Sequence, residues 1–422
     1  MPSVVGEVSV STWEGWFKPV FGKYIPLVPI NDKLQQLIKF SEGDSEGEYF
    51  TEPIGLQLEH GVTYASANSG AFALDPPIAS VTKKALINGS QHVLRCAIDY
   101  ETCAKANKSQ KAFGRALKQQ FVTMKESIHK RLEIDLWCGQ SPLGLVSAVA
   151  SNLITIAPAE FAAGFWSGME GALVEFFDFA GTTQRTGTGK IIAVDIDAGT
   201  ITLELATLPT GISAGGGGDR IYFKTQHITT GDRTMAGLQK ILTNTGSLFG
   251  IDAAVYSLWK ATSAAMSAAL QFDNIQRIIA RMVGKGLDTN LVLLVSPYTW
   301  ADLLVEQAAN RRYVTERVRF ENGAEAIRFY SQNGYVDIQA SFYCKAGYAF
   351  LVSPTEWKRV GATDLTFEMP DAGMFPGVGT FFRPLADNAG IEWRCYDHQA
   401  LYTAKAGRSG VFTGIVNTAV TA

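Results

Sequence analysis

The chain has 422 residues, 46% hydrophobic and 18% charged, with 37 basic and 40 acidic residues and a net charge of −3. That length leaves room for two or three domains with sizeable cores, and the apolar content excludes a disordered chain. Near-neutral charge excludes a general basic coat for nucleic acid, and a charged share below the roughly 25% usual for soluble chains predicts a surface covered by copies of the same chain.

Residues 1–40 read as an extended arm. Pro19, Pro26 and Pro29 forbid a continuous helix, and Trp13, Trp16, Phe17, Phe21 and Tyr24 need a surface to cover them. Residues 41–95 open on the acidic run SEGDSEGEYF. Ile54, Leu56 and Leu58, then Val62 and Tyr64, alternate as in a strand. The turn-rich ASANSGAFALDPP, with Phe72, leads to a second strand carrying Lys83 and Lys84. This predicts a long two-stranded β excursion. Such a ribbon is marginal alone and should lie on another copy.

Residues 104–137 carry the strongest local signal. Phe113, Leu117, Phe121, Met124, Ile128, Leu132 and Leu136 recur every three or four positions, one stripe of an α-helix about 50 Å long. Lys111, Arg115, Lys118, Lys125, Lys130 and Arg131 form the opposite face, and Cys138-Gly139 fits a C-cap. Within 140–180 a helix is expected from about Pro158 to Glu175, with Glu160 in its first turn. Residues 181–232 read as a small β insertion, with a hairpin turning at Asp197-Ala198-Gly199 and a flexible Gly215–Gly218 loop.

Residues 233–340 change to α/β. Leu248–Ala269 and Phe272–Val283 read as helices, Leu291–Val295 as a buried central strand, and Tyr298–Gln307 as a helix started by Pro297. Residues 341–422 return to β, with strands expected at Gly347–Val352, Leu365–Met369, Thr380–Leu385, Ile391–Leu401 and Val411–Val416.

Signs of chemistry are sparse. Cys96, Cys103, Cys138, Cys344 and Cys395 form no C-x-x-C pair and read as small buried hydrophobes in a reducing cytoplasm. His60, His92, His129, His227 and His398 lack metal-ligand spacing, and His129, beside the helical stripe, reads as structural. The string Thr186–Ile191 lacks the first glycine and the hydroxyl of a phosphate loop, Gly377-Val378-Gly379 fails as a dinucleotide fingerprint, and Ser409 sits in no nucleophile elbow. Arg311 and Arg312 start a basic spot interleaved with Glu316, Glu321 and Glu325, which fits intersubunit ion pairs better than nucleic acid. No catalytic residue, metal site or cofactor is expected. Neither a signal peptide nor a transmembrane helix is expected.

The order of these elements resembles the major capsid proteins of tailed bacteriophages, the HK97-like fold. The resemblance rests on element order, including NIQRIIARMVGKGLDTNLVLLVSPYTWADLL and the closing TFFRPLADNAGIEWRCYDHQALYTAKAGRSGVFTGI. It implies an α+β fold: an N-arm at 1–40, an E-loop at 41–95, a peripheral domain at 96–180 with spine helix 104–137, the β insertion at 181–232, an axial α/β domain at 233–340, and return strands at 341–422. It further implies a coat subunit forming hexamers and pentamers of an icosahedral virion shell around double-stranded DNA, assembled in the bacterial cytoplasm. Implied partners are a portal, a decoration protein and non-specifically held DNA. The first residues show no charged helical segment of the kind many relatives remove, so a separate scaffolding protein is expected. Trp13, Trp16, Phe17, Phe21, Tyr64, Phe72, Lys83, Lys84, Arg311 and Arg312 are the expected intersubunit contacts. Lys83 and Lys84 occupy the loop that some relatives cross-link, although paired lysines on a strand also protect an edge. Other readings are an encapsulin-like compartment shell, a tail or portal ring component, and an enzyme with an unrecognised site.

Overall fold

The computed structural model describes residues 32–43, 45–46, 49–101, 116–311, 326–367, 383–385 and 389–418. Trp13, Trp16, Phe17, Phe21, Tyr24, Cys103, Phe113 and Arg312 lie outside these residues. The described end of the arm is not wholly extended: Lys33–Leu37 is a short helix, and Phe40–Glu42 is a strand parallel to Trp357–Thr366.

The long helix is described over Ala116–Cys138. Met124, Ile128, Leu132 and Leu136 are buried along one stripe, as their spacing requires. Its N-terminal half packs on a five-stranded sheet, where Met124 and Ile128 meet Ile98, Trp393 and Cys395. In that sheet Gly390–Thr403 is the long central strand. It pairs on one side with Trp357–Thr366 and Arg383–Pro384 and on the other with Ser90–Asp99.

The other side of the helix is covered by a closed six-stranded barrel. Around it run Thr200–Leu203, Leu153–Ile156, Gly144–Ala150, Arg220–Phe223, Leu173–Phe177 and Gly189–Asp195. Val146, Ile154, Ile201, Val174, Phe176 and Ile221 fill it in the same core as helix residues Leu132 and Leu136. Two expectations change here. The insertion is not self-contained at 181–232, because three barrel strands come from 144–177. The helix expected from Pro158 to Glu175 is a 3₁₀ turn at Pro158–Glu160, a short helix at Ala163–Trp166 and the strand Leu173–Phe177. The Asp197–Gly199 hairpin turn is present, with Gly199 at φ 63°.

Within the Gly215–Gly218 loop, Gly218 is the position that requires glycine. Gly218 is at φ 83°, and an added Cβ would run into the Val146 carbonyl oxygen. Gly218→Ala should therefore cost about 1–3 kcal/mol, read as a lower urea midpoint. An unchanged midpoint would mean the loop relaxes freely.

The α/β lobe is a six-stranded mixed sheet: Thr262–Ala265, Gly410–Thr413, Tyr348–Val352, Leu291–Val295, Gly334–Ala340 and Ala326–Ser331. All five residues of Leu291–Val295 are buried, as their unbroken apolar run predicts. Helices Phe272–Val283 and Pro297–Arg311 flank the sheet, and Ile275, Ile278, Ile279 and Leu303 supply its core. The expected helix Leu248–Ala269 is absent. That stretch forms a small hairpin (Ser247–Leu248 with Ile251–Asp252), a 3₁₀ turn and the edge strand Thr262–Ala265.

Candidate assembly surface

The β excursion is a ribbon of Tyr49–Gln57 against Val81–Ile87, extended by the bridge between His60 and Ile78. A two-residue strand at Ser45–Glu46 makes its base three-stranded. Residues beyond Asn88 belong to the five-stranded sheet through Ser90–Asp99, so the excursion ends earlier than 95. Phe50, Ala85 and Ile87 anchor the base against Ile251, Trp259 and Tyr402.

Past the anchor, apolar side chains stand in solvent: Tyr64 is 91% exposed, Leu58 80%, Leu74 79% and Phe72 51%. Apolar exposure on this scale is the mark of a candidate contact surface. Its own order is slight: Asp75 N–H donates to Thr63 Oγ1 at 2.8 Å, and Asn68 and Gly70 make a left-handed turn. Tyr64 and Phe72 thus share one projecting loop. Lys83 and Lys84 lie lower, on the ribbon. As neighbours on a strand they point to opposite faces, and the Lys83 ammonium sits 5.4 Å from the Tyr256 ring centre. Arg311 ends the helix Pro297–Arg311, far along the chain from the loop.

The body beneath the ribbon is joined by buried charges. His92, on Ser90–Asp99, reaches Asp397 on the central strand and Asp135 on the long helix, at 2.9 Å from each. Burial disfavours the charged ring, but hydrogen bonds and attraction from the two carboxylates win and push its pKa up to about 10. Both ring nitrogens are engaged and the ring stays protonated near neutrality. It therefore offers neither a metal ligand nor a general base. Asp135 also accepts from Gln226 Nε2 at 2.9 Å, tying in the barrel.

Glu133, two residues earlier on the helix, accepts from the backbone N–H groups of Leu34 and Gln35 at 2.9 and 3.2 Å and from Trp137 Nε1 at 2.9 Å. Burial raises its pKa to about 7 against these hydrogen bonds, which lower it. It pins Lys33–Leu37 to the long helix. Lys345 joins the barrel to the α/β lobe: its ammonium donates to Glu160 Oε2 at 2.6 Å and to the Pro142 carbonyl at 2.8 Å, while Tyr348 Oη donates to Glu160 Oε1 at 2.8 Å. Backbone bonds from Ala346 N to Phe161 O and from Gly347 N to Ala159 O fasten the same junction.

Sequence reasoning missed these groups because their partners lie on other elements. Lys130 and Arg131 are corrections of a different kind. Periodicity puts them on the face opposite the apolar stripe, yet Lys130 is buried and Arg131 half-buried. Lys130 donates to the Ser167 carbonyl and hydroxyl, and Arg131 stacks 3.6 Å from the Phe223 ring centre.

No family model matches the chain, and no curated protein matches it. Solved structures do. The capsid asymmetric unit of cyanophage A-1(L) superposes with a TM-score of 0.53 at 11% identity, covering 94% of this chain and 96% of that one. The chain has the HK97-like capsid fold. The capsid of cyanophage P-SCSP1u gives a TM-score of 0.46 at 12% identity, covering 99% of each chain. The SrpI encapsulin of Synechococcus elongatus PCC 7942 gives 0.41 at 11%, covering 97% and 96%.

Proposed function

We propose that the chain is a major capsid subunit, with a structural and not a catalytic role, assembling through pentamers and hexamers into a virion shell around double-stranded DNA. The observation that carries this reading is the end-to-end likeness to a cyanophage capsid subunit. The projecting apolar loop and the charge-keyed body support it. A closed shell asks one chain to meet neighbours at several angles, which suits a stiff body with a compliant arm. In this reading residues 1–40 are the N-arm, Tyr64, Phe72, Lys83 and Lys84 face neighbouring subunits, and Arg311 and Arg312 join ion pairs between subunits. A scaffolding protein, a portal and a decoration protein complete the assembly.

His60 and Ile78 exchange both backbone hydrogen bonds, at 2.9 and 2.6 Å, so the ribbon can be closed there. Replacing residues 61–77 with Asn-Gly makes a two-residue hairpin turn on that pair. The variant should keep folding stability to within about 0.5 kcal/mol and lose closed particles, as seen by sedimentation. Normal particle yield from the shortened chain would remove the loop from assembly.

A further inference from the structure

A groove of about 690 Å³ opens between the sheet, the long helix and the barrel. One wall is residues 91–94 of the strand Ser90–Asp99. Among the described residues that strand pairs on one side only, with Gly390–Thr403. Its other edge offers unpaired backbone groups, the template for an added strand.

The other walls are cationic. Lys130 and Arg131 come from the helix, and Lys224 and Arg233 from the barrel side, with charged His92 at the floor. Among the described residues the Arg131 guanidinium has no hydrogen-bonded acceptor. It lies on Phe223 with its donors free, although Asp135 nearby favours its charge. Burial lowers the pKa of Arg131 to about 10, and burial with the Arg131 charge lowers that of Lys130 to about 8. Both would gain from an anion. Lys224 and Arg233 are exposed and make no ion pair among the described residues. Against five cations stand Glu126, Asp135 and Glu170 in the groove and Asp397 paired with His92 behind it, leaving a net charge of +1.

We propose that this groove binds an extended acidic segment of another polypeptide, which adds to the 91–94 edge and places a carboxylate on Arg131. A modest positive excess fits one or two carboxylates. A nucleic-acid backbone needs a track of cations, and the three acids in the groove would repel it. Val93, Ile128 and Met169 give a side chain between the carboxylates an apolar seat.

Fluorescence anisotropy of the full chain with a labelled short peptide alternating valine and glutamate tests this. The peptide should bind saturably and more weakly in high salt. Its affinity should fall about tenfold in Lys224→Glu/Arg233→Glu, whose exposed positions leave the thermal midpoint in place. Arg131→Gln should weaken it similarly, and backbone N-methylation of the peptide should abolish binding. Unchanged affinity in the charge-reversed variant, or full binding of the N-methylated peptide, would overturn the proposal. So would equal binding of a short labelled DNA duplex. An apparent affinity that weakens as the chain concentration is raised would assign the groove to a second copy, and also overturn it.

Discussion

Replacing Lys345 by methionine should cost about 4 kcal/mol of folding stability. The Lys345 side chain is 2% exposed and that of Glu160 14%. Methionine fills the volume but strips the Glu160 carboxylate of its directly bonded counter-charge, leaving only the weaker pull of Arg220. Burial opposes ionisation of Glu160, and Lys345 with Tyr348 overcomes it, holding the pKa below the usual carboxylate value. The pair's contribution is therefore present above that usual value and fades as pH falls through the lowered one. Adding Glu160→Gln to Lys345→Met should recover much of the loss, because Tyr348 Oη still finds an acceptor and no charge is stranded. Urea unfolding of the two variants reads this directly. A single variant as stable as the parent would mean that the backbone bonds at Phe161 and Ala159 suffice to hold barrel and lobe together.

The second large effect is expected at His92. His92→Phe leaves Asp135 and Asp397 facing each other without the cation between them. The loss should be roughly 3 kcal/mol, at the low end for a buried pair because the His92 side chain keeps 20% of its exposure. In the parent chain the folded pKa of His92, about 10, lies above the ordinary 6.5. Its contribution is thus complete below about pH 6.5 and is lost as pH rises through about 10. Stability should fall on the alkaline side in the parent, and His92→Phe should flatten that fall. A pH–stability curve unchanged by the substitution would contradict the assignment.

The elements legible in sequence are those whose pattern is local. The stripe from Met124 to Leu136 and the five-residue run Leu291–Val295 need only their own spacing to be read, and both are found as expected. The ribbon is legible because its alternation is broken by a turn-rich loop. Where pairing is long-range, local signals mislead. Pro158 and Glu160 do start a helical turn, but it stops after three residues, because Gly144–Ala150 and Leu173–Phe177 are claimed by Arg220–Phe223 to close the barrel. The Ala-rich Thr262–Ala265 favours helix locally and is a strand because Gly410–Thr413 pairs with it in parallel.

The candidate site was half legible. Tyr64 and Phe72 stand out as aromatics in a turn-rich segment, and the structure exposes both. Lys130 and Arg131 are charged residues on the polar side of a clear stripe, and nothing local says that Ser167 and Phe223 pack against them. His92 is a lone histidine until Asp135 and Asp397 are brought to it.

The most direct test of the shell assignment is electron microscopy of the full chain, expressed alone and with candidate scaffolding proteins. A coat subunit should give closed icosahedral particles, or free pentamers and hexamers, in at least one condition. A monodisperse monomer or dimer in both conditions would contradict it.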